Sequence, residues 1–312
     1  MTLRIACIGE AMVEVSLDPG LETARIGFAG DALNTAIYLR RTLPPDATVT
    51  FVSAIGSDAL SDRMAAMIAA EGVDTTHLRR DPGRTTGLYA IRTDASGERA
   101  FSYWRDTSAA RAMFGGDDAL AVLDGFDVLF LTATSLAILP ADTRTALLHH
   151  IADFRRRGGL FAFDSNYRPR LWSGPVEGRD VIEAVWLMTD IALPSVDDEM
   201  AIFGDGSADA VVARLRGWGA RRGALKCGAL GPVSLSGGIV AGPFPPAAEV
   251  VDTTAAGDSF NAGYLAAILT GQPEVSALRA GHDCAVKVIA HRGAIVPAAL
   301  WQGLAMAAHV QR

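Results

Sequence analysis

A run of small residues near the C-terminal end is the segment best suited to chemistry. Positions 250–260 read VVDTTAAGDSF, and the residues that follow place Phe260 and Tyr264 on one face of a predicted helix. Small side chains would let a ligand reach the unpaired N–H groups at the helix N-terminus, where the positive end of the dipole attracts phosphate. Asp258 lies in the same first turn. Its carboxylate could accept a proton from an attacking hydroxyl while the amides from Ala255 onward stabilise charge on the transferring group.

The same segment also has a purely structural interpretation. An Asp in the first turn commonly stabilises a helix, and an Ala-Ala-Gly run can allow tight packing. Taken alone, the residues around Asp258 support the two interpretations about equally. The order of the other motifs along the chain favours the chemical one.

A second polar group opens another predicted helix. Gly30, Asp31 and Asn34 stand at the start of a segment whose apolar face includes Leu33 and Ile37. Residues three apart in a helix point the same way, so Asp31 and Asn34 could bind one ligand together. Spacing alone favours a simpler view, in which Asp31 caps the helix and Asn34 is solvated.

Two alternating segments predict a β-hairpin. Residues 85–93 and 99–105 alternate between apolar and polar around the turn-like sequence DASGE. On this hairpin Tyr103 and Arg105 share a face, and Tyr89 is expected across from them. An aromatic pair beside an arginine suits a sugar that carries a carboxylate, because guanidinium binds carboxylate bidentately. Tyr and Arg are also ordinary edge-strand residues.

A polar cluster directly follows a predicted buried strand at 160–163. It reads DSNYRPRLW and contains Asp164, Asn166 and Arg168. Ligands of parallel sheets bind beyond the carboxyl ends of the strands, so this cluster is a site candidate. A Pro-containing turn is the structural alternative, but such a turn requires neither two arginines nor a tryptophan.

Two further segments carry weaker signals. The short strand at 191–194 leads into SVDDE, an acidic cluster that stabilisation of a helix N-terminus would explain equally well. Residues 223–235 predict a strand, a turn with Gly228 and Gly231, and a second strand.

The elements that position these residues predict an α/β fold. Buried strands alternate with helices before and after a small sheet, which combines strands near 14–28 with the hairpin. We interpret residues 1–312 as a single domain with a β lid inserted from about 11–29 and 84–108. The exposed edges of such a lid predict a homodimer in which two lids cover each other.

Composition excludes several classes of function. The chain has 312 residues and a formal net charge of −7, which argues against nucleic acid or an anionic membrane as main partner. Cys7, Cys227 and Cys284 are far apart and form no zinc-like pattern, as expected of reduced thiols in a cytoplasmic protein. The N-terminal residues predict a strand rather than a signal peptide, and no apolar run is long enough to span a membrane.

The segment Asp252-Thr-Thr-Ala-Ala-Gly-Asp258 resembles the Asp-Thr-x-Gly-Ala-Gly-Asp motif of the ribokinase-like (PfkB) carbohydrate kinases. This form of the motif, together with Asn-x-Arg-x-x-Leu-Trp at 166–172, is similar to the family branch that phosphorylates 2-keto-3-deoxygluconate. The resemblance runs from about residue 8 to residue 294. It implies a three-layer α/β/α sandwich with a mostly parallel central sheet and a small β-sheet lid. It also implies ATP-dependent formation of the 6-phosphate ester, a step of Entner–Doudoroff and uronate catabolism.

The resemblance further implies a role for each candidate residue. Asp258 is expected to be the general base, and the amides of Ala255, Ala256 and Gly257 the anion hole. The residues expected to bind the sugar acid are Gly30, Asp31, Asn34, Tyr89, Tyr103, Arg105, Arg168 and Asp258. Those expected to bind ATP are Asn166, Lys226, Gly228, Gly231, Ala256, Gly257 and His282.

Three positions depart from the family pattern. Ala255 occupies a position where most members have Gly, and Gly30 follows Ala rather than Gly. The family's Asn-x-x-Glu motif, which helps to hold Mg²⁺ through water, reads Ser195-x-x-Asp198 here, with Glu199 adjacent. Asp198 or Glu199 is therefore the expected indirect Mg²⁺ residue, and the sequence leaves the choice open.

Two alternatives of a different kind remain. A kinase of the same fold could act on a neutral sugar such as fructose or ribose, or on a nucleoside. A binder of sugar acid or nucleotide could also use this fold without catalysis. The chain has no Gly-x-x-x-x-Gly-Lys-Ser/Thr loop and no Gly-x-Gly-x-x-Gly after the first strand, which argues against a P-loop kinase and a dinucleotide dehydrogenase.

Overall fold

Short apolar runs form the parallel strands at the centre of the molecule. The computed structural model describes residues 2–18, 22–93, 99–116, 118–237, 239 and 242–301. Within this part of the chain, the central sheet consists, in spatial order, of β10 (Ile191–Ala192), β9 (Leu160–Asp164), β8 (Val128–Thr132), β1 (Arg4–Ile8), β4 (Thr48–Ile55) and β5 (Leu78–Arg80). Every neighbouring pair is parallel. Strands covered on both faces are apolar throughout, which explains runs such as VLFLT in β8.

The two faces of the central sheet pack against different helices. Along β1, Ile5 and Cys7 belong to one apolar core, whereas Ala6 and Ile8 belong to the other, because successive strand residues point to opposite faces. The first core includes residues of α1 (Asp31–Thr42), α2 (Ala59–Ala70), α8 (Ala256–Leu269) and α9 (Glu274–Ile289). The second includes residues of α3 (Ala133–Ile138), α4 (Ala141–Arg156), α5 (Pro175–Trp186) and α7 (Ala208–Gly217). These three layers confirm the predicted α/β/α class.

A separate small sheet contains the strands of the two segments predicted to form a lid, and we keep the name lid for this sheet. Its strands, in spatial order, are β3 (Ala24–Ala29), β2 (Met12–Leu17), β6 (Gly87–Thr93) and β7 (Arg99–Trp104). The β6–β7 pair is antiparallel, and Tyr89 lies opposite Tyr103, which confirms the predicted hairpin and its register. The DASGE turn between the two strands lies outside the described residues. The chain passes between this sheet and the body in four places, which are between β1 and β2, between β3 and α1, between β5 and β6, and after β7.

The remaining elements follow the central sheet. The strands β11 (Ala224–Lys226) and β12 (Pro232–Ser234) pair antiparallel, as predicted for residues 223–235. The short helices α6 (Val196–Phe203) and α10 (Ala298–Trp301) complete the described secondary structure, apart from short 3₁₀ turns. Among the helices in the described ranges, none is long and apolar enough to cross a membrane.

The carboxyl edge of the central sheet collects the polar residues. Glu10 follows β1 after one glycine, Thr132 ends β8, Asp164 ends β9, and Ser195 comes three residues after β10. Parallel strands place these ends at one edge, which is where ligands of such sheets bind. The N-termini of α1 and α8 meet at this same edge, since Asn34 of α1 contacts Asp258 of α8.

Candidate active site

The loop before α8 turns sharply at Ala255. This residue has φ 62°, in the left-handed region that an L-residue with a Cβ adopts at a cost of about 1–2 kcal/mol. Asp252 supports the turn, because its carboxylate accepts from the amide of Thr254 at 2.9 Å and from that of Gly293 at 2.8 Å. The second contact places the turn at residues 291–294 beside the loop. A strained, well-supported corner of this kind holds the start of α8 in a fixed position.

Asp258 lies in the first turn of α8 and contacts α1. The side-chain amide of Asn34 donates to Asp258 Oδ2 at 2.8 Å, and the hydroxyl of Thr35 donates to the Asp258 carbonyl at 3.3 Å. Gly30 precedes α1, where an added Cβ would come within 2.1 Å of the Glu10 carbonyl oxygen. The backbone approach at Gly30 therefore requires glycine, and it fixes the start of α1 against the end of β1.

Burial raises the pKa of Asp258 to about 8. The nearby Asp31 carboxylate also raises it, and the hydrogen bond from Asn34 opposes the shift. A carboxylate with this pKa binds protons far more strongly than an ordinary aspartate. Its proton affinity suits a general base that works near neutral pH.

Asp31 joins α1 to the ends of two strands. Its Oδ2 accepts from the hydroxyl of Thr132 at 2.6 Å and from the side-chain amide of Asn166 at 2.5 Å. The carbonyl of Asn166 accepts in turn from the Thr134 hydroxyl at 2.8 Å. Asp31 and Asn34 therefore reach the same edge of the sheet through different partners, and Asn166 is held beside them.

A second charged group lies next to the first turn of α8. Lys226 at the end of β11 donates to Asp164 Oδ2 at 2.7 Å and to Asn261 Oδ1 at 3.0 Å, and Asn261 Nδ2 donates to the same Asp164 oxygen at 2.5 Å. A Cβ on Gly257 would lie 3.6 Å from Lys226 Nζ. The Lys226 ammonium therefore stands close to the backbone that the sequence predicts to hold the transferring phosphoryl group.

Sequence reasoning missed Asn261. This residue is fully buried, three positions after Asp258 in α8. Residues three apart lie on the same side of a helix, and that spacing is the signal that could have identified it.

Of the two candidate metal residues, the structure places Asp198 at the site. Its carboxyl lies 3.9 Å from Arg168 Nη1, and burial, with the Asp164 charge next in importance, raises its pKa to about 6. Glu199 is fully buried and accepts from Arg214 at 2.9 Å and from the Trp186 indole at 3.2 Å. In the described ranges, no group of three or more His, Cys, Asp or Glu side chains could hold a metal by itself.

The lid contributes a pair of neighbouring aromatic rings. Tyr89 and Tyr103 have ring centroids 5.9 Å apart, and the Tyr89 hydroxyl donates to Glu14. Burial raises the pKa of Tyr89, and the charge of Glu14 and, less strongly, that of Asp258 raise it further. Arg105 forms a buried ion pair with Glu10. Sequence reasoning missed both glutamates, since each pairs with a residue far along the chain.

The two predicted arginines differ in environment. The Arg105 side chain is 9 % exposed, whereas that of Arg168 is 55 % exposed and also donates to the Tyr167 carbonyl at 2.8 Å. Arg168 is thus the more accessible cation at this edge. The substrate roles of both arginines stay predictions.

The turn between β11 and β12 carries the predicted nucleotide residues. Gly228 and Gly231 both have positive φ, and a Cβ on Gly231 would come within 2.7 Å of the Phe244 ring. His282 lies at the same side, with its ring centroid 5.1 Å from that of Phe244 and its Nε2 2.7 Å from the Pro245 carbonyl oxygen. Phe244 was not predicted. The expectation that His282 borders adenine stays a prediction.

The fold and this edge of the sheet define a sugar-kinase type of protein. The model of the pfkB family of carbohydrate kinases matches residues 2–300, so the chain belongs to that family. This result confirms the resemblance found in the sequence.

Individual proteins of known name are similar to this chain over nearly its whole length. The chain is 43 % identical to a 2-dehydro-3-deoxygluconokinase of Escherichia coli (strain K12) over 95 % of this chain and 98 % of the relative. It is 42 % identical to the enzyme of the same name from Dickeya dadantii (strain 3937), over 95 % and 97 % of the two chains. Among solved structures, a PfkB protein from Polaromonas sp. JS666 matches with a TM-score of 0.81 at 27 % identity, covering 97 % of this chain and all of that one.

Proposed function

We propose that this protein is an ATP-dependent kinase that phosphorylates 2-keto-3-deoxygluconate at its 6-hydroxyl. The observation that carries the proposal is the position of Asp258 in the first turn of α8, where its carboxylate accepts a hydrogen bond from Asn34 of α1 at the carboxyl edge of the sheet. The identity to relatives named 2-dehydro-3-deoxygluconokinase supports the choice of substrate. 2-Dehydro-3-deoxygluconate and 2-keto-3-deoxygluconate are two names for one compound.

In this reaction the 6-hydroxyl oxygen attacks the γ-phosphorus of ATP, and the bond from that phosphorus to the ADP oxygen breaks. Asp258 takes the hydroxyl proton, and the hydrogen bond from Asn34 orients the carboxylate toward the sugar. The raised pKa of Asp258 makes it a competent acceptor for this proton. Most of the remaining barrier is lowered by alignment of the two substrates.

The negative charge of the transferring group is met by the start of α8 and by Lys226. The amides of Gly257 and Asp258 in the first turn of α8 have no earlier helical carbonyl to bind, whereas the amide of Ala256 donates to the Thr253 carbonyl at 3.2 Å. Asp164 and Asn261 hold Lys226 next to Gly257, so its ammonium adds a fixed positive charge. The glycine turn at 228–231 and the Phe244–His282 pair would accommodate the rest of the nucleotide.

The donor chemistry at this edge fits Mg²⁺ bound mainly by the phosphates. Asp198 is an oxygen donor whose pKa is raised by burial and by Asp164, and a divalent cation nearby would relieve that repulsion. Asp198 would hold the ion through water, and the bound ion would neutralise charge on the phosphates. Glu199 is saturated by Arg214 and Trp186 and is not part of this site.

The sugar acid would lie between the lid and α1. Tyr89 and Tyr103 offer ring faces, Asp31 and Asn34 offer polar groups for hydroxyls, and the lid arginine is expected to bind the carboxylate. Arg168 provides a second cation at the opposite side. Arg105 already has Glu10 and Arg168 already has Asp198 as an anionic neighbour, and the substrate carboxylate would give one of these guanidinium groups a second anionic partner.

The test is an ATP-consumption assay of the purified protein with a panel of acceptors. The panel contains 2-keto-3-deoxygluconate, 2-keto-3-deoxygalactonate, fructose, ribose and adenosine. We expect turnover of a keto-deoxy acid at a kcat/KM at least about a hundredfold above that of fructose, ribose or adenosine, because binding the carboxylate discriminates strongly against acceptors that lack it. Preference for a neutral acceptor would refute the sugar-acid assignment while leaving the kinase family intact.

We further propose that the protein is a homodimer formed through the lid and that it is located in the cytoplasm. Its hydrophobic side chains Phe101, Tyr103 and Trp104 are 43 %, 48 % and 62 % exposed, which is unusual for a free surface. Light scattering of wild type and Trp104→Glu would test the dimer, since a monomeric wild type would refute it.

Cell fractionation would test the location, which the free thiols of Cys7, Cys227 and Cys284 favour.

A further inference from the structure

A buried ion pair joins the body to the lid beside the sugar site. Glu10 lies just beyond β1 and Arg105 just beyond β7, and Arg105 Nη2 donates to Glu10 Oε2. The two side chains are only 2 % and 9 % exposed. Burial of two charges costs free energy that their attraction roughly repays, so such a pair is seldom retained for stability alone.

Glycine at position 87 makes room for this pair. A Cβ on Gly87 would lie 2.7 Å from Glu10 Oε1 and 3.4 Å from the Cβ of Arg105. Gly87 starts β6 and lies opposite Met12 of β2, so both inner lid strands border the pair. The position of the Arg105 guanidinium is thus set by the backbone of the body and of the lid together.

The pair also keeps hydrogen-bonding capacity that the described part of the protein does not use. Glu10 Oε1 and Arg105 Nε are buried there without a close hydrogen-bond partner, and the buried Ser108 hydroxyl interacts with the Glu10 carboxylate. An unsatisfied buried polar atom costs about 1–3 kcal/mol. A pair that served only to stabilise the fold would be expected to satisfy these groups, whereas a pair that waits for a ligand would not.

We propose that Glu10 is a positioning residue that holds Arg105 by one edge and leaves its remaining donors for the carboxylate of the sugar acid. This inference rests on the proposed function. The substrate does not displace Glu10, because displacement would leave a fully buried carboxylate without its cation. Arg105 therefore bridges two carboxylates, one fixed in the protein and one brought by the substrate, and the fixed one sets the angle of the guanidinium plane.

The test is steady-state kinetics of Glu10→Ala, Glu10→Gln and Glu10→Asp with 2-keto-3-deoxygluconate and ATP. Glu10→Ala removes the support, and we expect the KM for the acid to rise about tenfold or more, with kcat and the KM for ATP within about threefold of wild type. Glu10→Gln keeps an acceptor oxygen in place and should restore the acid KM to within about threefold. Glu177→Gln, which alters the distant ion pair of Glu177 with Arg144, is the matched control and should leave all three parameters unchanged.

Several outcomes would overturn the inference. These are an acid KM that stays level or falls in Glu10→Ala, a parallel rise in the KM for ATP, or an equal effect of Gln and Ala. If Glu10→Ala does not fold, Glu10→Asp decides, because it keeps the charge but withdraws the acceptor by one methylene. Its acid KM should rise about fivefold, and an unchanged value would refute positioning. Failure of the wild type to use the acid would instead refute the proposed function.

Discussion

Asp258 and Glu199 are two carboxylates with raised pKa values, and only one of them has the surroundings of a catalytic group. Burial raises the pKa of Asp258 to about 8 and that of Glu199 to about 7. Asp258 has a neutral amide partner, Asn34, and two carboxylate neighbours, Asp31 and Asp164. Glu199 is paired with the Arg214 guanidinium. Asp258 thus lacks a bound counter-charge, whereas Glu199 has one.

The surroundings of the two groups differ as much as their partners. The Arg214 guanidinium carbon lies 4.0 Å from the Phe203 ring centroid and 4.6 Å from that of Trp218, which closes the Glu199 side from solvent. Asp258 stands at a helix N-terminus, where small residues leave the backbone accessible. A raised pKa therefore reports burial in both places, and accessibility with unpaired backbone amides is what distinguishes a site for chemistry.

The largest effect on kcat should come from removal of the Asp258 charge. Asp258→Asn keeps the size of the side chain but cannot accept the proton, so kcat should fall by about 10²–10⁴ while the melting temperature changes little. The structural alternative, that a first-turn carboxylate merely stabilises its helix, has a matched control in Asp62→Asn, which removes the exposed first-turn carboxylate of α2. Equal activity loss in both variants would contradict the base assignment.

The pH dependence of the rate should follow Asp258 rather than Glu199. A base must be deprotonated, so log kcat/KM should rise with slope one below pH 8 and level above it, about tenfold per pH unit. The same group makes folding favour the protonated form, because its pKa is above that of the unfolded chain. Its contribution to the free energy of unfolding therefore falls as pH rises from about 4 to 8. A profile that is flat between pH 6 and 8 would contradict this assignment.

The adjacent residues Asp198 and Glu199 of α6 allow a carboxylate at the site to be compared with one in the interior. Asp198→Asn should raise the Mg²⁺ concentration needed for half-maximal rate by about tenfold, since it replaces the carboxylate that faces Arg168 by a neutral amide. Glu199→Gln should leave that concentration unchanged. Titration of MgCl₂ at saturating ATP separates the two, and a larger effect in Glu199→Gln would reverse the assignment made from the structure.

Features that depend on a local pattern of residues could be predicted from the sequence. The apolar runs of β1, β8 and β9 predicted the parallel sheet, and the alternation around residues 85–105 predicted the lid hairpin and the Tyr89–Tyr103 pair. The Asp258 segment was identified because its loop, helix start and carboxylate are contiguous. Each of these features requires only neighbouring residues, so one stretch of sequence contains the whole signal.

Two kinds of feature could not be predicted. One depends on how a helix is rotated about its own axis, and the other depends on which distant elements pack together. Successive residues of a helix are rotated by about 100°, so the direction of Asp198 and Glu199 depends on how α6 packs beneath α5 and α7. The Glu10–Arg105 pair joins residues 95 positions apart, so no local pattern in the sequence could reveal it. Asn261 became identifiable only when Lys226 and Asp164 were found beside it.

The smallest effect on the chemical step should come from the cluster around Glu199. Arg214→Met leaves that carboxylate buried without its cation, which costs about 3–5 kcal/mol of the free energy of unfolding, while kcat at 25 °C stays within about twofold. The loss should grow between pH 5 and 8, because the buried Glu199 must stay protonated while the unfolded chain ionises. Urea unfolding at several pH values measures this. The double variant Arg214→Met/Glu199→Gln should recover part of the loss, since it removes the unpaired charge. A fall in kcat as large as that of Asp258→Asn would mean that the buried cluster, and not only the edge of the sheet, acts in catalysis.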